Sequence, residues 1–160
     1  MTLKLVRHPT SDAPAVSHIE AHAVSTYISP PFLTQAAVFE FLRRGNLEPN
    51  LERVNGLLGA RRDAMLEALA SHMPADASWT QPEGGYFVWL DLPSGPDAAV
   101  LLPAAEAAGV TFVKGTDFFP GGRGGDRSLR LAFSFVSPAE IADGIGRLAG
   151  LLSPATTTAL

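Results

Sequence analysis

No cysteine occurs in the 160-residue chain, which excludes a disulfide, a thiolate nucleophile and a cysteine-ligated zinc. Nothing in the sequence therefore calls for an oxidising compartment. Positive charge is also scarce, with 12 Lys and Arg against 16 Asp and Glu and a net formal charge of −4. Only Arg43-Arg44 and Arg61-Arg62 set two cations side by side, which argues against nucleic acid and anionic membrane as partners. No apolar run approaches the roughly 18 residues of a membrane span, and Met1 to Pro9 lacks the apolar centre of a signal peptide. A soluble, cytoplasmic protein is expected. Alanine, glycine and proline are plentiful but follow no fixed period, so collagen, heptad and solenoid architectures are excluded. A chain of this length fits one domain that buries about 70% of the surface its unfolded form exposes.

Residues 1–28 show no sustained period and are expected to be irregular. They hold His8, His18 and His22, of which His18 and His22 have the spacing of one helix face. Ile19 stands where a zinc-protease helix needs glutamate, so solvated histidines are the simpler reading and no metal site is assigned. Pro30-Pro31 can open a first helix that Gly45 stops, and Pro49 opens a second that extends to His72-Met73-Pro74. Gly56 and Gly59 are expected to bend or fray that second helix unless packing holds it. Its Arg53, Arg61, Arg62, Asp63 and Glu67 read as a solvated face.

From residue 74 the order is strand, helix, strand, strand, helix. Tyr86 to Leu92 is a central strand, apolar on both faces; Asp97 caps a helix that Gly109 closes and that Pro103 kinks or divides; Val110 to Val113 is a short strand. Ser137-Pro138-Ala139-Glu140 is a capping box heading a helix through Leu152, and 153–160 is expected to be a disordered tail. The expected fold is α/β, more narrowly an α+β domain: two N-terminal helices followed by a small three-stranded sheet covered by helices.

The strand Ser128 to Phe135 alternates with period two, sending Leu129, Leu131, Phe133 and Phe135 to one face and Ser128, Arg130, Ala132 and Ser134 to the other. Small neighbours leave room above the Arg130 guanidinium for a two-pronged carboxylate contact. On the alternation alone, an arginine on a solvated sheet face, or paired with a nearby acid, is the preferred reading. Gly121 to Gly125 lacks the lysine and the following helix of a phosphate loop, and reads as a flexible surface loop. Asp91 and Asp117 form no recognisable acid/base pair, and no histidine falls in the strand region.

Three runs in order, Pro82-Glu83-Gly84-Gly85-Tyr86-Phe87-Val88-Trp89-Leu90-Asp91-Leu92, Gly109 to Phe119, and Leu129-Arg130-Leu131-Ala132-Phe133-Ser134, resemble the C-terminal part of fold-type I, pyridoxal-phosphate-dependent class I/II aminotransferases. The likeness is to enzymes of the 2-aminoadipate and kynurenine aminotransferase type and to the related MocR regulators. It reaches back through Pro31 to Ala37, so residues 29–152 resemble the aminotransferase C-terminal domain with its interdomain helix. The resemblance implies that Arg130 grips the substrate α-carboxylate and that the turn carrying Gly85 and Tyr86 lies near the substrate entrance. It also implies pyridoxal phosphate as cofactor and an amino acid or 2-oxo acid as substrate.

Family members carry upstream a serine- and lysine-containing segment that forms the Schiff base, and an aspartate that pairs with the pyridine nitrogen. Neither of the two lysines, Lys4 and Lys114, stands in such a motif. The expectation is a truncated or split aminotransferase that neither binds the cofactor nor transaminates alone, and that works with a complementary large domain or as a homo-oligomer. The alternatives are a noncatalytic amino-acid-binding or regulatory module that kept the Arg130 side, and a nonfunctional remnant with exposed helix faces.

Overall fold

The computed structural model describes residues 31–152; the expectations for residues 1–28 and 153–160, including His8, His18, His22 and Lys4, lie outside the described residues. The chain divides between Asn55 and Gly56 into two compact units. In the first, helix α1 (Phe32–Arg43) begins directly after Pro31. Gly45, at φ +71°, ends it: the Gly45 N–H donates to the Leu42 carbonyl and the Asn46 N–H to that of Phe41. None of its side chains is buried, and Phe32 is 83% exposed. Helix α2 (Leu47–His72) starts two residues before Pro49 and runs as one element past Gly56 and Gly59, without fraying at either glycine.

The second unit contains the sheet. Its strands are β1 (Ser78–Trp79), β2 (Phe87–Asp91), β3 (Val113–Lys114) and β4 (Ser128–Ala132), in the order β1-β2-β4-β3 and antiparallel throughout. The sheet thus has four strands where three were expected, because Ser78 and Trp79 pair with Asp91 and Leu90. Two residues are too short a run for periodicity to reveal. The strand expected at Val110 to Val113 pairs only from Val113, while Phe112 turns into the core.

Helices α3 (Ala98–Ala107) and α4 (Pro138–Leu152), with the C-terminal half of α2, cover one sheet face. Met65 and Leu69 of α2, Ala98, Leu101 and Ala105 of α3, and Ile141, Ile145 and Leu148 of α4 are buried with Val88, Leu90, Leu129 and Leu131. Each fully buried large side chain contributes about 1.5–3 kcal/mol. The other sheet face contributes no side chain of β2 or β4 to that core. That is why β2 is apolar-buried only through Val88 and Leu90, with Phe87 exposed and Trp89 half-buried.

Pro103 does not divide α3; it lies on the exposed side and costs the helix a backbone bond rather than its continuity. Asp97 holds the N-cap position without a side-chain cap bond, its carboxylate lying 3.5 Å from Arg127 Nε instead. Gly109, at φ +79°, closes the helix as expected, with Val110 N–H donating to the Ala105 carbonyl. The capping box of α4 is formed: Glu140 N–H donates to Ser137 Oγ, and Ser137 N–H donates to Glu140 Oε2 at 2.8 Å. The Ser137 hydroxyl, also donating to Glu140, holds that carboxyl below the usual glutamate range.

Candidate functional site

Strand β4 places Arg130 on the sheet face opposite the helix-packed one, on which Leu129 and Leu131 are buried. The alternation ends where the ladder ends: Phe133 is buried, but Phe135 lies beyond the last pair, Phe87 with Ala132, and is 89% exposed. Arg61, expected on a solvated face, instead donates Nη1 to the Ser134 carbonyl at 2.7 Å and ties this strand exit to α2.

Trp89 stands directly across from Arg130, and Phe87 is its diagonal neighbour. The guanidinium carbon lies 4.0 Å from the centre of the Phe87 ring and 4.7 Å from that of Phe118, distances at which a cation is attracted to the ring faces. Phe118 comes from a short 3-10 turn, Gly115–Phe118, that leaves β3. Arg130 Nε is buried and has no hydrogen-bond partner among the described residues. A buried donor left unsatisfied costs about 1–3 kcal/mol, more when charged. A carboxylate meets a guanidinium in its plane with two parallel bonds, which is compatible with aromatic rings lying against its flat side.

Beside Arg130, Trp89 Nε1 donates to Asp91 Oδ1 at 3.0 Å, and Ser128 Oγ donates to the same oxygen at 2.5 Å. The indole edge meets the Phe118 ring at 5.6 Å and lies 6.4 Å from that of Phe119. Reading β2 as apolar on both faces misses this network. The signal is nonetheless in the sequence: Phe87, Trp89 and Asp91 share a period-two face that ends in a carboxylate.

Tyr86 is 52% exposed and meets the Phe87 ring edge-on at 6.3 Å, so it joins the aromatic wall of Arg130 at one remove. Gly85 supplies φ +83°, which a side chain would strain, in the turn before it. The glycine loop is packed rather than free: a Cβ on Gly124 would meet the Phe119 ring at 2.9 Å, and one on Gly125 would come within 2.6 Å of Gly115. A cavity of about 300 Å³ opens on the helix-covered side, where Glu140 is the one charged lining residue.

The described residues do not fit pyridoxal phosphate. Their one amine, on Lys114, is paired with Asp117 at 3.4 Å. The hollow beside the glycine loop sets the carboxylates of Asp97 and Asp126 against Arg127, which is unsuited to a phosphate. No group of three or more metal-ligating side chains is assembled among the described residues. No helix among them is long and apolar enough to cross a membrane.

Comparison with known proteins gives this arrangement its context. The aspartate amino-transferase family model matches residues 6–158. Aromatic-amino-acid aminotransferase 1 of Thermococcus litoralis is 40% identical over 116 residues, covering 72% of this chain and 28% of that protein. The structure of Pyrococcus horikoshii kynurenine aminotransferase, in complex with PMP, superposes with a TM-score of 0.76 at 34% identity, covering 88% of this chain and 35% of that one. That of the α-aminoadipate aminotransferase LysN from Thermus thermophilus, complexed with N-(5'-phosphopyridoxyl)-L-leucine, does so with a TM-score of 0.74 at 36% identity, covering 87% and 35%. This chain therefore spans about a third of the length of the relatives it matches. The family match and the shared architecture together establish that the chain belongs to the aspartate amino-transferase family, in which it corresponds to the C-terminal, small-domain part of a class I/II aminotransferase.

Proposed function

We propose that this chain is the carboxylate-gripping C-terminal part of a pyridoxal-phosphate-dependent aminotransferase, serving amino group transfer between an amino acid and a 2-oxo acid in the cytoplasm. Arg130 is the anchor for the substrate α-carboxylate, and Gly85 and Tyr86 border the path by which substrate arrives. The observation that carries this reading is the buried Arg130 Nε without an acceptor among the described residues, beside two aromatic rings that lie against its guanidinium. The Schiff-base lysine, the phosphate site and the acid opposite the pyridine nitrogen come from a large domain, in a longer chain, a complementary chain or a homo-oligomer. Alone, residues 1–160 neither hold the cofactor nor transaminate.

The test is complementation. The chain mixed with pyridoxal phosphate is expected to show no lysine-dependent change in the cofactor's visible spectrum. Co-expression with the lysine-bearing large domain of a related enzyme is expected to give transamination. Arg130→Lys lowers its kcat/KM by about tenfold or more, because lysine cannot make the two-pronged contact. Transamination by the chain alone, or complemented activity indifferent to Arg130, would overturn the proposal. The engagement of Lys114 by Asp117 also favours a second reading, a noncatalytic amino-acid-binding module. Calorimetric binding of an amino acid to the chain, lost in Arg130→Ala and unaccompanied by any complemented activity, would select it.

A further inference from the structure

Asp91 pairs with Ser128 in the ladder and Arg130 lies two residues further along β4, so the two charged side chains are diagonal neighbours on one sheet face. Such neighbours lie about 7–8 Å apart at their Cα atoms, a span that a long arginine side chain bridges. A carboxylate so placed ordinarily pairs with the cation, yet Arg130 Nε has no acceptor among the described residues. Both donors that reach Asp91 converge on its Oδ1: the Trp89 indole from the same strand and the Ser128 hydroxyl from across the ladder. The indole is itself braced edge-on by Phe118, whose ring also lies against the guanidinium. The nearby Asp117 is engaged by Lys114.

We infer that Trp89 and Ser128 are positioning residues for Arg130, and that their role is to hold the Asp91 carboxylate away from the guanidinium so that it stays free for a ligand carboxylate. The inference rests on the reading of Arg130 as a carboxylate anchor. Trp89 and Ser128 touch no ligand; they act through Asp91. A specific signature follows. Removing both donors releases Asp91 to pair with Arg130 and weakens ligand binding, and neutralising Asp91 in that background restores it.

The experiment titrates the 160-residue chain with 3-phenylpropionate, a carboxylate without an amine, while the Arg130 Nε–H resonance is followed by NMR. Wild type is expected to bind, and Arg130→Ala to lose binding. In Trp89→Phe/Ser128→Ala the dissociation constant rises about 3- to 10-fold, and the Arg130 resonance is already displaced before ligand is added. Adding Asp91→Asn returns the affinity to within about twofold of wild type, a reversal that loss of packing alone would not produce. Should the triple-site background fail to fold, Ser128→Ala with and without Asp91→Asn reads the same sign at smaller amplitude. Equal affinity of wild type and the donor-free variant, or failure of Asp91→Asn to restore it, overturns the inference while leaving the anchor intact. Absence of wild-type binding overturns the anchor reading and this inference with it.

Discussion

The two faces of the β2/β4 pair use the same alternation to opposite ends. On one, Val88, Leu90, Leu129 and Leu131 are sealed beneath three helices. On the other, Phe87, Trp89, Asp91 and Arg130 stand partly exposed, joined by ring contacts and by hydrogen bonds that leave one buried donor unsatisfied. The first face is optimised for stability and the second carries a local cost. A buried polar group without a partner calls for an explanation, and the carboxylate contact proposed for Arg130 supplies one.

The contrast is broken most sharply by Phe133→Ala, which empties one of the largest fully buried positions of the core. A loss of about 3–5 kcal/mol is expected in urea unfolding. Arg130→Met probes the opposite face. It removes the unsatisfied Nε, so stability is expected to change by less than about 1 kcal/mol, while carboxylate binding falls by the about 1.5–3 kcal/mol of a charge-assisted contact. Calorimetry and thermal melting on the same variant separate the two effects, and a large stability loss would mean that Arg130 is structural.

Gly115→Ala tests how the aromatic wall is held. A Cβ there would lie 2.5 Å from the Gly125 carbonyl oxygen and 2.6 Å from Ser128 Cβ. The turn carrying Phe118 must shift, with a destabilisation of about 1–3 kcal/mol and a change in Trp89 fluorescence. The smallest effect is expected from acid. The Ser137 hydroxyl bond to Glu140, the bonds from Ser94 to Asp76 and the Arg43 bond to Glu40 each hold a carboxyl below its usual range. A lowered folded pKa contributes stability that is present above the unfolded value and lost as pH falls through the folded one. Stability is therefore expected to decline modestly as pH falls through and below the ordinary carboxylate range, and less steeply in Glu140→Gln.

Much of the fold was legible in local chemistry. The Ser137 to Glu140 box and the two glycine-closed helices appear where the sequence places them, because their hydrogen bonds are made within a few residues. The alternation around Arg130 was legible through Ala132 and failed at Phe135, where β4 had no partner left to pair with. Arg61 escaped for a different reason: its acceptor, the Ser134 carbonyl, is 73 residues away, and no helical pattern announces a bond of that range.

By itself the sequence determined which residues share a face, where the helices stop and which family the motifs belong to. Those properties follow from backbone periods, glycine conformations and the order of short motifs. Only the tertiary structure decided which of the two apolar sets of β2 is covered, that Asp91 is engaged by Trp89 and Ser128, and that Arg130 Nε is left without an acceptor among the described residues. A period states what points the same way; what lies opposite depends on strands and turns brought together from far along the chain.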